Sequence, residues 1–255
     1  MFKTLLASLG IGSARIDLVL DRDEVIMGEK VTGQLYVYGG NVKQEIEGLS
    51  VDLRLQSHHA KTAQEMEETV CTIEVTDEEF TLRPGVEMKF PFSFVCPYTL
   101  PISSINTKYY FMSNLEIDNG IDAKDRDFIK IKPAGPIEQF LEGMYELGME
   151  LKWEGLSGKE DEYLQMFQFR PTDWLKGQAD EIIFWYDTVK SKKELRGFFE
   201  FDGQFAGEGG DLADFLNLDE SSGAFVFTRE QLATRESAAE TIRAHLKRHL
   251  KGLKV

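Results

Sequence analysis

The chain is poor in the residues that most often carry chemistry. It holds two cysteines and four histidines among 255 residues. A disulfide between Cys71 and Cys96 would require their two strands to face each other. The pair reads instead as small buried thiols, the ordinary state in a reducing cytoplasm. Basic charge is also scarce: 29 Lys and Arg against 44 Asp and Glu leave a net charge of −15. Such a surface disfavours binding to nucleic acid phosphates. No apolar run approaches the roughly 20 residues needed to cross a bilayer. The opening MFKTLLASLGIG is interrupted by Ser8 and Gly10 and lacks a clean small-residue cleavage site, so it does not read as a secretion signal. Phe2, Leu5, Leu6 and Leu9 have helical spacing and are expected to form a turn or two that dock on the body.

Motifs of catalysis are likewise missing. There is no nucleophile elbow, and the four histidines suggest no Ser/His/Asp or Cys/His arrangement. The pairs Glu67-Glu68 and Glu78-Glu79 lie in charge-rich stretches and read as surface acidity. His58 and His59 are neighbours in an extended segment, so they point to opposite faces and cannot share a metal. His245 and His249 have the i, i+4 spacing of a helical zinc pair, but no third ligand accompanies them and Lys247, Arg248 and Lys251 add positive charge. The glycine-rich Phe205–Asp211 loop lacks the lysine of a phosphate loop. The carboxylates around it, from Asp202 to Glu220, do not follow the alternating ligand spacing of a calcium loop. The expectation is a non-enzyme without metal or cofactor.

What the chain does have is alternation. From Ser13 to Ser57, Ile16, Leu18 and Leu20 mark one strand face, Val31, Gly33, Leu35 and Val37 a second, and Leu49, Val51, Leu53 and Leu55 a third. Arg22-Asp23-Glu24 and Gly39-Gly40-Asn41 supply the reversals. One-sided alternation of this kind belongs to antiparallel sheets with one wet face, which favours a β-sandwich. Further strands are expected at Thr69–Val75, at Met88–Phe94, at Tyr109–Ile117 and at Arg126–Ile131. Pro91, which has no N–H to give a ladder, points to an edge or a bulge, and Val31–Tyr38 is a second candidate edge.

The Lys132–Pro136 stretch, rich in proline and glycine, marks a linker. Beyond it the period changes to 3.6: Ile137, Phe140, Leu141, Met144 and Leu147 share a helical face ended by Gly148. Strands then recur at Met149–Trp153, Tyr163–Arg170, Glu181–Thr188 and Leu195–Phe201. Thr228 and Gln231 fit a capping box, opening a helix whose face carries Ala239, Ile242, Leu246, Leu250 and Leu253. The fold expected is mainly β: two antiparallel β-sandwich domains, residues 1–133 and 134–255, with a short linker helix and a C-terminal amphipathic helix.

That last helix is the one polarised segment. Arg243, Lys247, Lys251 and Lys254 recur at spacings of four, four and three, and residues 229–255 carry +4 against −19 for the rest. Cations near a helix C-terminus suit its dipole. Arg243, Lys247 and Lys251 are the candidate partner-binding residues, toward an acidic face of another copy or toward an anionic membrane.

The segments DEVIMGEKVTGQLYVYGGN, IEGLSVDLRLQS and LRPGVEMKFPFSFVCPYTLPIS resemble the arrestin-type sandwich. There a glycine-glutamate turn precedes the second strand, and a proline-glycine turn precedes a phenylalanine-rich strand ending in proline. Together with MFKTLLASLGIGSARIDLVL and the element order, the chain is similar over nearly its whole length to the bacterial sporulation-control proteins of the stage-zero class, regulator M. The resemblance implies two arrestin-like domains in a cytoplasmic regulatory adaptor that binds other proteins, with no catalytic residues to transfer. Animal arrestins use a buried polar core and basic phosphate-sensing residues. Asp125, Arg126 and Asp127 do not match that core residue by residue, so phosphate sensing is not carried over.

Overall fold

The structure is a computed structural model and describes residues 13–118, 120–158, 163–188, 193–202 and 222–249. Its strands gather in two compact units. The first takes the chain up to Gln56 with Glu67–Cys96 and Lys108–Lys132; the second takes Ser57–Met66, Pro97–Thr107 and the chain from Pro133 onward.

In the first unit β1 (Arg15–Leu20), β3 (Lys30–Tyr38) and β7 (Glu87–Val95) make a three-stranded antiparallel sheet with β3 at its centre. A second sheet runs in the order β2 (Glu24–Ile26), β9 (Ala123–Lys132), β8 (Lys108–Ile117), β4 (Gln44–His58) and β5 (Glu65–Thr76), with β6 (Phe80–Leu82) also on β4. Alternation places Leu18, Leu35, Val37, Val51, Leu53 and Leu115 in the core. Phe92 and Phe94 of one sheet meet Phe111 of the other edge-on, with ring centroids 5.1 and 5.6 Å apart. Each such buried ring is worth about 2–3 kcal/mol in area removed from water. Val31–Tyr38 is therefore an interior strand and not an edge, since β3 pairs on both sides. The Pro91 strand is an edge: β7 pairs with β3 alone.

The second unit is a five-stranded antiparallel meander of β10 (Met149–Ser157), β11 (Leu164–Pro171), β12 (Glu181–Asp187), β13 (Glu194–Asp202) and β14 (Ser222–Thr228). Helix α1 (Pro136–Glu146) starts with proline at its first turn and stops at Leu147, after which Gly148 takes φ 71°. It lays Phe140 against Phe184, Phe225 and Phe227. Helix α2 (Arg235–His249) packs beside it. Gly143 makes that closeness possible: a Cβ there would stand 2.8 Å from the Ala239 nitrogen and 2.9 Å from the Ala238 Cβ.

Two details differ from the sequence reading. β14 is an additional strand. The Thr228–Gln231 pair does exchange its two hydrogen bonds, at 2.9 and 3.3 Å, but it closes a turn after β14. The helix opens instead at Thr234, whose hydroxyl accepts from the Ser237 N–H at 3.2 Å. The expected fold class holds: mainly β, with antiparallel strand pairing except for the short parallel pair of β2 on β9, and with one helix between the two sets of strands in the chain and one after them. The N-terminal residues expected to be helical lie outside the described residues, as do those of the Phe205–Asp211 loop.

Candidate functional site

Helix α2 carries the basic residues singled out above. Its buried face is Ala238, Ala239, Ile242, His245 and Leu246. Arg243 and Lys247 are exposed on the other side, and Lys251 lies outside the described residues. The Arg243 guanidinium rests 5.3 Å from the Trp174 ring, a cation–π contact that holds it to its own unit. Glu236 and Glu240 share the exposed side with the cations. His245 is wedged against Phe199 and Phe227, at 5.2 and 5.3 Å between ring centroids. Burial, with help from His249 and Arg248, pushes its imidazole down to about 4. It is a neutral packing residue, and its neighbour His249 turns Nδ1 to the His245 carbonyl at 2.9 Å.

Asp125 and Asp127 share one face of β9, while Arg126 between them points to the other. Arg126 stacks on Tyr110, 4.3 Å from the ring. Asp125 accepts the backbone N–H of Leu18 on β1 at 3.1 Å. Gln44 does the same for the N–H of Ala14, at 2.8 Å. The backbone N–H groups of residues 14 and 18 point away from β3, because that of Asp21, three on from Leu18, donates to the Thr32 carbonyl. Side chains thus occupy the outer edge of β1. Asp127 is half-buried with its Oδ2 unpaired, and burial together with the Asp125 and Asp17 carboxylates raises it to about 7.

The other edges differ in character. Odd-numbered residues of β7 face outward, since Gly28 and Glu29 exchange bonds with Cys96, and Pro91 leaves that outer row one donor short. β5 closes the path of the larger sheet, and all its residues are partly or fully exposed. Cys71 lies on it half-buried and Cys96 is buried, its thiol pushed up to about 12 by that burial; no disulfide joins them.

A polar centre that sequence reasoning missed lies inside the second unit. The fully buried Glu154 carboxylate accepts the N–H groups of Asn106 and Thr107, each at 3.0 Å, the Thr107 hydroxyl, and the Gln165 side-chain amide at 2.9 Å. Gln165 bonds the Ile102 backbone at both N–H and C=O, each at 2.9 Å, and accepts from the Tyr186 hydroxyl at 2.6 Å. The Ser57 hydroxyl joins Thr107 at 2.8 Å. With every group paired, the network pins the 97–107 segment and Ser57 to the sheet. It leaves no lone pair aimed at solvent and reads as an anchor. Among the described residues, no three His, Cys, Asp or Glu side chains are gathered to hold a metal.

Comparison with known proteins gives a consistent answer. The SpoOM protein family matches residues 2–204. The curated "Sporulation-control protein spo0M" of Bacillus subtilis (strain 168) is 31% identical over 253 residues, covering 94% of this chain and 95% of that protein. The crystal structure of Spo0M, sporulation control protein, from Bacillus subtilis superposes with a TM-score of 0.77 at 28% identity, over 94% of this chain and all of the other. On the family match and this near full-length relationship together, the chain belongs to the SpoOM protein family.

Proposed function

We propose that this protein is a non-enzymatic regulatory adaptor of sporulation control, working in the cytoplasm by binding other proteins. The observation that carries the reading is its likeness, over 94% of its length, to a protein named for sporulation control. The physical character of the chain supports it. Its buried carboxylate is saturated by hydrogen bonds, its histidine pair is used in packing, and its best-formed features are sheets with accessible edges. Edges and exposed strand faces bind by backbone hydrogen bonds plus alternate side chains. Crosslinking in cells entering sporulation, with the tagged chain as bait, is expected to return reproducible protein partners absent from a tag-only control. A clean blank across replicates argues against an adaptor.

Docking on anionic membrane through α2 has weaker support, because the apolar face such a helix would insert is already packed on the sheet. Among the described residues no helix is long and apolar enough to cross a membrane. Vesicles rich in phosphatidylserine are expected not to float the protein. Flotation that disappears in Arg243→Gln/Lys247→Gln would reverse that ranking.

A further inference from the structure

Strand β5 is unusual among the long strands of the first unit. Its neighbour β4 buries alternate residues along most of its length, whereas no residue of β5 is fully buried. Val70, Ile73 and Val75 are half-covered, so the strand offers apolar side chains as well as backbone at the end of its sheet. Unlike β1, where Asp125 takes the Leu18 N–H and Gln44 that of Ala14 just before it, and unlike β7, broken by Pro91, this edge carries no proline. A long apolar edge of this kind pairs with other chains unless something discourages it.

Charge is what discourages it here. Residues 67–79, EETVCTIEVTDEE, hold six acidic residues and no Lys, Arg or His. Glu67 is engaged by Arg54 at 2.9 Å and by Gln56 and Tyr110. Glu74, Asp77, Glu78 and Glu79 are exposed. Two copies meeting edge to edge would set these acids against each other, so the partner is not a second β5. A strand with Lys or Arg at alternate positions meets both demands, since opposite charges across a strand pair attract and like charges repel. We propose that the β5 edge, Glu67–Thr76, takes up an extended basic segment of a partner protein as an added strand. This rests on the protein-binding reading above and names the surface and the partner's chemistry.

The probe is a fluorescein-labelled nonapeptide alternating lysine and valine, with the glutamate–valine peptide as control, titrated into the full chain. The lysine peptide is expected to bind at least tenfold tighter than the control. Binding should slow hydrogen exchange of backbone amides in 67–76 specifically. Val70→Pro should abolish that protection; because proline there also tests the fold, Glu74→Lys/Glu78→Lys serves as the second variant. It alters only exposed side chains and should weaken the lysine peptide at least tenfold. Equal affinity for the two peptides overturns the proposal, and so does binding that leaves the 67–76 amides unprotected. In-cell crosslinking separates this from the broader reading. Partners captured equally by wild type and Glu74→Lys/Glu78→Lys sink the β5 edge and leave the adaptor standing; no partners with either sinks the adaptor.

Discussion

Replacing Glu154 by alanine leaves the N–H groups of Asn106 and Thr107 and the Gln165 amide without their acceptor inside the second unit. Each buried donor left without its acceptor costs about 1–3 kcal/mol, so the three together cost about 3–5 kcal/mol or more. Glu154→Gln keeps the shape but turns an NH2 toward groups that are themselves donors, so it too is expected to destabilise, by about 2 kcal/mol. Urea unfolding monitored by tryptophan fluorescence should order the three proteins wild type, glutamine, alanine. Asp127 acts the other way. Its carboxyl titrates near 7 in the fold, against 3.8 for a free aspartate. Between those values the folded state holds more protons than the unfolded one, so the stability it contributes is full below pH 4 and is lost as pH rises through 7. Asp127→Asn should remove that slope and gain about 1–2 kcal/mol at pH 8, a value kept small because the group is only half-buried. Denaturant melts at pH 5 and pH 8 would show it; an equal effect at both pH values would disprove the assignment.

At the scale of elements, the strands that could be read from the sequence are those with one dry face. Ile16-Leu18 on β1, Leu35-Val37 on β3 and Val51-Leu53-Leu55 on β4 alternate and are buried as that alternation requires. Glu154 could not be read so. In MELKWEGLS it falls in step with Glu150 and Lys152, but a bulge between Leu151 and Trp153 shifts the register and swings it onto the face of Leu151 and Phe167. Nothing local in the sequence announces that extra residue. β14 was hidden because Phe225 and Phe227 sit between a glycine-rich acidic stretch and a threonine-glutamine pair that mimics a helix start. The basic face of α2 was visible, yet Trp174, which holds Arg243, comes from a distant turn. The α1–α2 contact gives a prediction at this scale. Alanine in a helix usually gains up to about 1 kcal/mol over glycine. At Gly143 the added methyl meets the α2 backbone at 2.8 Å, which cannot yield as a side-chain tip would. Gly143→Ala is therefore expected to lower the melting temperature by calorimetry, with a net loss of about 1–3 kcal/mol.

At the scale of the whole molecule, Asp127 and His245 respond to pH with opposite sign. His245, in the second unit, has its pKa lowered from 6.5 to about 4, so between those values the unfolded state takes up more protons. Its contribution is present above 6.5 and lost as pH falls through 4. Asp127, in the first, loses its contribution as pH climbs toward 7. Hydrogen exchange corrected for its intrinsic pH dependence should therefore show protection in β9 around Asp127 declining from pH 5 to 7.5 while that in α2 around His245 grows. Parallel changes in both would contradict this. The division of the chain also bears on how it is cut. A fragment of residues 134–255 keeps Glu154 and Gln165 but loses Asn106, Thr107 and Ile102, their partners. It should give a poorly dispersed amide NMR spectrum, whereas a well-dispersed one would show that the network is dispensable. The same arrangement sets an order of events on the ribosome. Ile102 leaves the exit tunnel 63 residues ahead of the Gln165 that will hold it. Until then the 97–107 strap has no seat, and the nascent chain carries it loose while the strands of the first unit are already available to pair.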